Sequence, residues 1–531
     1  MLIMTIISLK FMLFVIIMML LYFLVPKKIR WCILLIGSYI YYFIASAKLT
    51  IFLVVTTFTI YWSGILMNKV DEKKQISCNG KDKEARKVLK REAEKKKKII
   101  IFITIAINVG ILLFLKYGNF ISKNINEILN LLNINTKIPF KKVILPLGIS
   151  YYTLQALSYI VDVYRGKYKA EKNWGKIALF LSFFPQMLEG PIGRYEDLAE
   201  QLYKPHDFNY KRVKYAIQII LWGLFKKMVI ADRAALYVYD VFNKYNEYSG
   251  IVIVMAIILY TIQIYAEFSG CIDIVMGVAQ IFGVTLAENF KRPFFSKSIQ
   301  EFWRRWHITL GEWLKDYIFY PISFSKLTIN LTTNVKKIFK GYIGKIIPAM
   351  FALFFVWFTN GIWHGASWKY IFYGLYYYIM TIIGMILTPL FKQVIIKLNI
   401  NTKTFGYKMW QMIRTTIIVL IGMLIFRAKR LKVALQMLLS IFTFENMGKL
   451  FNGELFKIGF ETSDFIVIIV GVIIMFIVGL LQEKGYSIRE KISKQNIVFR
   501  WTLYYGIIFS IIIFGIYGKG YSASSFIYGQ F

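Results

Sequence analysis

Long apolar runs separated by short polar or basic joints dominate the chain. They occupy Met12 to Val25, Trp31 to Ala47, Leu49 to Met67, Ile99 to Leu115, Val213 to Ile230, Ile251 to Phe268, Phe351 to Leu387, Ile413 to Phe426, Phe465 to Leu481 and Trp501 to Ile516. An α-helix needs about 20 apolar residues to cross a bilayer, so the pattern predicts an all-α, polytopic protein with about eleven transmembrane spans plus re-entrant or interfacial helices. Two further stretches, Leu145 to Val163 and Ile177 to Ile192, carry Pro, Gly and charge within apolar sequence. Backbone polar groups at membrane depth must be satisfied inside the protein, so these are expected to be broken or re-entrant helices buried among the others. The first run has only Lys10 as an early positive charge, and no small-x-small site precedes "VPKKIR". It is therefore expected to be a retained helix rather than a cleaved signal.

Composition sharpens this picture. Of the 531 residues, 57% are hydrophobic, above the apolar share of roughly one half in soluble domains. Lys and Arg number 66 against 29 Asp and Glu, a net charge of +37. In a soluble protein that excess would suggest nucleic acid; in so apolar a chain the expected contact is membrane lipid, with no nucleic acid. Residues 69–98, "KVDEKKQISCNGKDKEARKVLKREAEKKKK", hold 13 basic and 6 acidic side chains. Such a stretch is retained on the cytoplasmic side, which predicts a cytoplasmic loop at 69–98 and an extracytoplasmic N-terminus in a multi-pass protein of the cell membrane. The expected organisation is N-terminal transmembrane helices over 1–68, the basic loop over 69–98, a core over 99–440, and a C-terminal loop with two transmembrane helices over 441–531. Cys32 and Cys271 lie in apolar runs and Cys78 in the basic stretch, with no C-x-x-C pair, so they read as packing thiols. No internal repeat is visible, which disfavours the repeat-built transporters.

Candidate chemistry begins with the three histidines. In "QEFWRRWHITLGEWLKDYIFYPI", Gln300 to Ile322, the residues Trp303, Trp306, Leu310, Trp313 and Tyr317 recur at steps of three and four, predicting one amphipathic helix with an aromatic face. Arg304, Arg305, Glu312, Lys315 and Asp316 fall on its other faces. His307 follows Trp303 and Arg304 by one turn, where a neighbouring cation would keep the imidazole neutral. His364 lies in "FTNGIWHGASWKYIFYGLYYYI" and is followed by Gly365, Ala366 and Ser367, small residues that leave room for a backbone or a substrate. Either a neighbouring helix satisfies it or a cavity beside it holds a ligand. His206, in "YKPHDFNY", sits in a polar loop with no chemistry expected.

A neutral, desolvated imidazole can take a proton from a hydroxyl while a second one orients the acceptor, which suits acyl transfer to an alcohol. The chain has no phosphate loop, no H-E-x-x-H, no G-x-S-x-G and too few His and Cys for a metal cage; haem ligation by two histidines stays open on these residues alone. Asp162 and Arg165, Glu189 and Arg194, and Glu267 and Asp273 also sit in apolar context, as halves of structural ion pairs or as the lining of a polar tunnel.

Several motifs, in order, resemble those of the membrane-bound O-acyltransferase (MBOAT) family. They are "LPLGISYYTLQALSYIVDVYRG" at 145–166, "FFPQMLEGPIGRY" at 183–195, "FSGCIDIVMG" at 268–277, "ENFKRPFFSKSIQEFWRRWHITLGEWLKDYIFYPI" at 288–322, "NGIWHGASWKYIFYG" at 360–374 and "IFRAKRLKVALQML" at 425–438. The nearest branch is the bacterial one that serves O-acetylation of alginate, with the D-alanyl transfer branch of lipoteichoic acid beside it. The resemblance implies a helical tunnel through a catalytic core over 99–440, with His364 of W-H-G-A as catalytic base and His307 of R-R-W-H as the second active-site residue. Trp303, Arg304, Asn360, Trp363 and Ser367 are the substrate-binding positions it suggests. It implies no bound cofactor and no metal, a cytoplasmic thioester as acyl donor (acetyl-CoA or a carrier-protein thioester), a cell-surface polysaccharide as final acceptor, and an exported acetyltransferase-like partner protein. D-alanyl transfer to teichoic acid is the alternative within the family, and a polysaccharide or lipid exporter the alternative outside it; an exporter has no need of the two histidines. Glu189 and Glu267 depart from the residues expected at those positions and leave donor and acceptor preference open.

Overall fold

The computed structural model describes residues 5–139, 145–146, 148–187, 189–339, 341–443 and 448–517. Leu147 and Leu188, within two of the quoted motifs, and parts of the C-terminal region lie outside the described residues. Apart from one isolated antiparallel bridge between Phe290 and Trp306, the described elements are helical. Eight segments among them are long and apolar enough to cross a membrane: Lys27–Cys78, Lys83–Leu131, Ile251–Ile281, Tyr342–His364, Trp368–Lys397, Phe405–Arg427, Thr462–Glu483 and Ile497–Phe514. The chain is a multi-pass membrane protein of the all-α class.

Eight is fewer than about eleven, for identifiable reasons. The Leu9–Leu24 helix has only 16 residues. The Lys27–Cys78 segment holds two helices, Arg30–Ser46 and Thr50–Cys78, joined by a single 3-10 turn. The run from Val213 to Ile230 is a Tyr210–Leu224 helix that passes into a π turn, Phe225–Ala231, carrying two buried lysines. Burial ranks the spans: 6% of the most apolar window of Ile497–Phe514 is enclosed by protein, against 67% for Ile251–Ile281. The first presents its side chains to lipid and the second is an interior helix.

The described residues gather into two compact units, Met1–Ala216 with Val275–Ala287, and Ile217–Ile274 with Glu288–Phe531. In the first, Tyr42, Leu53, Leu115, Ile149, Tyr152 and Met187 form a buried cluster. The Ile149–Arg165 helix at its centre is continuous and almost wholly buried, not broken as its polar residues suggest. Its start needs Gly148, which has φ +67° and lies so close to Met187 that a Cβ would be 2.2 Å from that residue's carbonyl oxygen. Asp162 pairs with Arg165 and Lys167 at 3.9 Å each. His206 is structural: its Nε2 lies 2.8 Å from the Gln201 carbonyl oxygen and its ring fills the space beside Gly283.

The basic stretch 69–98 is not a loop. It is the end of the Thr50–Cys78 helix and the start of the Lys83–Leu131 helix, with only 79–82 between them. Lys, Arg, Glu and Ala are good helix formers, Asp82 caps the second helix by accepting from Ala85 N at 3.1 Å, and Asp71 accepts from Lys74 (2.6 Å) and from Lys97 across the hairpin (2.8 Å).

The second unit is organised by a close crossing. Gly223 and Gly270 abut so tightly that a Cβ on either would lie within 3 Å of the other's carbonyl oxygen. The π turn that follows Gly223 brings successive lysines inward. Lys227 Nζ donates to Asp232 Oδ1 (2.6 Å) and Glu267 Oε1 (2.9 Å), while Lys226 Nζ bonds Ser269 Oγ (2.8 Å) and pairs with Asp273 Oδ2 (2.8 Å). Glu267 and Asp273 are thus halves of ion pairs with partners from a different helix, that of Glu267 buried and that of Asp273 partly so.

Candidate active site

The single aromatic helix expected over Gln300 to Ile322 is interrupted at its centre. Ile299–Arg305 and Ile308–Leu314 are separate helices, and His307 between them has left-handed backbone with φ +48°. A non-glycine residue costs about 1–2 kcal/mol there, so something must hold it. Asn289 does. Its backbone oxygen accepts from Ile308 N at 3.0 Å, and its side-chain Oδ1 accepts from Thr309 N (3.1 Å) and Thr309 Oγ1 (2.9 Å). Lys291 N donates to Arg305 O at 2.9 Å, closing a short two-stranded clasp around the bridge.

The same oxygen fixes the histidine's tautomer. His307 Nδ1 lies 3.2 Å from Asn289 Oδ1; the amide proton of Thr309 points at that atom, which identifies it as the acceptor, so Nδ1 carries the proton and Nε2 the lone pair. Burial pushes the His307 pKa well below the ordinary histidine value, to about 3, and the ring is neutral at physiological pH. The expected cause, a neighbouring Arg304, is wrong. Arg304 is exposed and its Nε donates to the Gln300 carbonyl at 3.3 Å, because the break at His307 takes the imidazole off the face that a continuous helix would have given it.

His364 ends the Tyr342–His364 helix, and Gly365 to Ser367 turn the chain into the Trp368–Lys397 helix. These two helices meet backbone to backbone. A Cβ on Gly361 would lie 2.5 Å from Tyr370 O, and one on Gly374 would lie 2.3 Å from Trp357 O. The glycines thereby set the depth of His364, which is 4% exposed. The space beside Gly365 is taken by the Tyr370 ring. Around His364 stand Trp363 (centroids 5.0 Å apart), Phe426 (5.2 Å) and Tyr373 (5.5 Å). Trp363 also contacts His307, at 5.6 Å, and Phe268 meets the His307 ring edge-on at 5.0 Å. One indole is therefore in ring contact with both buried imidazoles, within an aromatic enclosure.

Residues 173–333 match the family model described as MBOAT, membrane-bound O-acyltransferase family. The chain is 31% identical over 424 residues to the probable alginate O-acetylase AlgI of Pseudomonas putida, an alignment covering 80% of this chain and 77% of that one. The chain belongs to the membrane-bound O-acyltransferase family. The peptidoglycan O-acetyltransferase of Helicobacter pylori is 30% identical over 305 residues, 52% of this acyltransferase and 54% of that protein. The teichoic acid D-alanyltransferase of Bacillus subtilis is 30% identical over 244 residues, 44% of this chain and 57% of that one.

The acyltransferase brings together most, but not all, of the positions that its motifs nominate. His307 and His364 are each in ring contact with Trp363, and Asn360 lies one helical turn before His364, buried, with no hydrogen-bond partner for its Oδ1 among the described residues. Trp303 packs on Trp357 (5.2 Å), Tyr377 (4.7 Å) and Tyr373 (6.4 Å), the last of which touches His364. Ser367 is half-buried in the turn. Arg304 is turned away. Asn289, Thr309, Tyr373 and Phe426 complete the enclosure; all four stand in the quoted motifs, but only the tertiary fold gives them a role.

Proposed function

We propose that this O-acyltransferase moves an acetyl group from a cytoplasmic thioester, acetyl-CoA or a derivative of it, across the membrane for O-acetylation of a cell-surface polysaccharide. Residues 99–440 are its catalytic core, the hairpin at 69–98 faces the cytoplasm, and the N-terminus is extracytoplasmic. The observation that carries the chemistry is the pair of buried histidines that share ring contact with Trp363. In the proposed step His364 takes the proton of the acceptor hydroxyl as its oxygen attacks the thioester carbonyl; the C–S bond then breaks, and the thiolate leaves and recovers the proton. His307, neutral and held in place by Asn289, positions the acceptor beside His364. The helix carbonyl ends at His364 favour the positive charge that this ring gains. Trp303, Asn360, Trp363 and Ser367 shape the space in which substrates meet.

Nearly all of the chain is membrane helices and short connections, so the acetyl group is handed to an exported acetyltransferase-like partner that places it on polymer hydroxyls. The similarity to peptidoglycan and alginate acetylating proteins supports an acetyl group; the similarity to the D-alanyltransferase keeps D-alanyl transfer from a carrier protein as the second reading. Sealed membrane vesicles test both. Their sidedness is read from an impermeant maleimide, which labels Cys78 only where the 69–98 hairpin is outward. Labelled acetyl-CoA on the hairpin side should yield labelled ester on the opposite side only when the exported partner is present there. Polymer labelling without that partner overturns the relay; label from carrier-bound D-alanine and none from acetyl-CoA moves the protein to the D-alanyl reading.

A further inference from the structure

The motif "IFRAKRLKVALQML" plays no part in the chemistry described above, yet it enters the enclosure. Phe426 lies against His364, and the next residue, Arg427, ends the Phe405–Arg427 helix half-buried, with its guanidinium 5.1 Å above the Phe242 ring. Lys369, five residues after His364, donates through Nζ to the carbonyl oxygens of Phe426 (3.1 Å) and Ala428 (2.9 Å). Lys369 thus holds the carbonyls of the residues on either side of Arg427, and neither cation forms an ion pair among the described residues.

A second observation points to the same place. Phe242 also touches Tyr260, at 6.0 Å, and Tyr260 is fully buried with a hydroxyl that has no hydrogen-bond partner among the described residues. Arg427 and Tyr260 thus both contact the Phe242 ring. Buried hydroxyls are nearly always bonded, and cations at the edge of membrane helices need counter-charges or mark substrate paths. Arg offers a planar fork of donors matched to phosphate or carboxylate oxygens, and a tyrosine O–H adds a third donor to the same anion.

We infer that Arg427, Tyr260 and Lys369 form a subsite beside His364 for an anionic group of a substrate, either a phosphate of the thioester donor or a carboxylate of the acceptor. It rests on the reading that transfer takes place at His364. Arg427 and Tyr260 hold the anion directly, and Lys369, already bonded to two carbonyls, contributes charge and fixes the turn after Phe426. Two cations without carboxylates would repel one another and are settled by the bound anion, so affinity for that substrate depends on them.

The test is calorimetric titration of the purified full-length protein in neutral detergent with two probes, inorganic pyrophosphate and glucuronate. The wild type should bind one of them, pyrophosphate if the anion is the donor's phosphate and glucuronate if it is the acceptor's carboxylate. Arg427→Gln should weaken that binding by about tenfold or more, the weight of a charge-assisted hydrogen bond; Arg427→Lys should recover part of it and Tyr260→Phe should lose a few-fold. Binding elsewhere on this basic protein survives in Arg427→Gln and is subtracted by the comparison. A wild type that binds neither probe, or variants that bind as the wild type does with unchanged thermal midpoints, would overturn the subsite. Because no acyl transfer is measured, a failure of the acetyl reading leaves this result standing.

Discussion

Replacing His364 by Gln should lower acyl transfer by about 10²- to 10⁴-fold, the usual weight of a general base, while leaving the amount of protein in the membrane unchanged. Glutamine keeps hydrogen-bonding atoms and nearly the same volume, so the contacts with Trp363, Phe426 and Tyr373 are largely preserved. What it cannot do is accept a proton at neutral pH. The effect should fall on kcat, since the proton moves only as the thioester is attacked. Single-turnover measurement separates this step from product release; a rate within about threefold of wild type would remove His364 from the base role and leave it as a packed ring.

The largest effect on stability should come from Lys227→Met. Lys227 lies between Asp232 and Glu267 at 2.6 and 2.9 Å, and each of the three side chains is at most 8% exposed. Removing the ammonium leaves two carboxylates facing each other in an apolar setting, which costs about 3–5 kcal/mol. The expected reading is a clear drop in the thermal midpoint of the detergent-solubilised protein. Removing the carboxylates as well, in the triple variant Lys227→Met, Asp232→Asn, Glu267→Gln, should restore much of the loss, because the penalty belongs to the uncompensated charge rather than to the missing contact. A normal midpoint in the single variant would mean that water reaches the triad. Glu267 precedes Phe268, which packs against His307, so the single variant should lose activity along with stability.

Both effects turn on residues that differ greatly in how visible they are in the sequence. The apolar runs gave the helical class at once, since membrane spans are set by length and composition alone. His364 was conspicuous for the same reason: an ionisable group in aromatic surroundings needs an explanation. His307 was found but misplaced, because steps of three and four between Trp303 and Tyr317 describe a helix equally well whether or not it is interrupted. The interruption is imposed by Asn289, 18 residues earlier, and no local periodicity carries that contact. Glu267 and Asp273 asked for cationic partners, and "LFKKMVIA" supplies two lysines in an apolar run. What joins them is the π turn and the Gly223–Gly270 crossing, which are tertiary facts. The basic stretch at 69–98 looked like a loop because it is polar, yet polar residues that favour helix simply prolong the two helices it connects.

Ester analysis of the purified cell-surface polysaccharide, from cells with this chain, without it, and with His364→Gln in its place, tests the central claim most directly. The account predicts acetyl ester in the first case and its loss to the same background in the other two, with the His364→Gln protein present in the membrane at normal level. Acetyl ester that persists without the chain, or that survives His364→Gln undiminished, would contradict it.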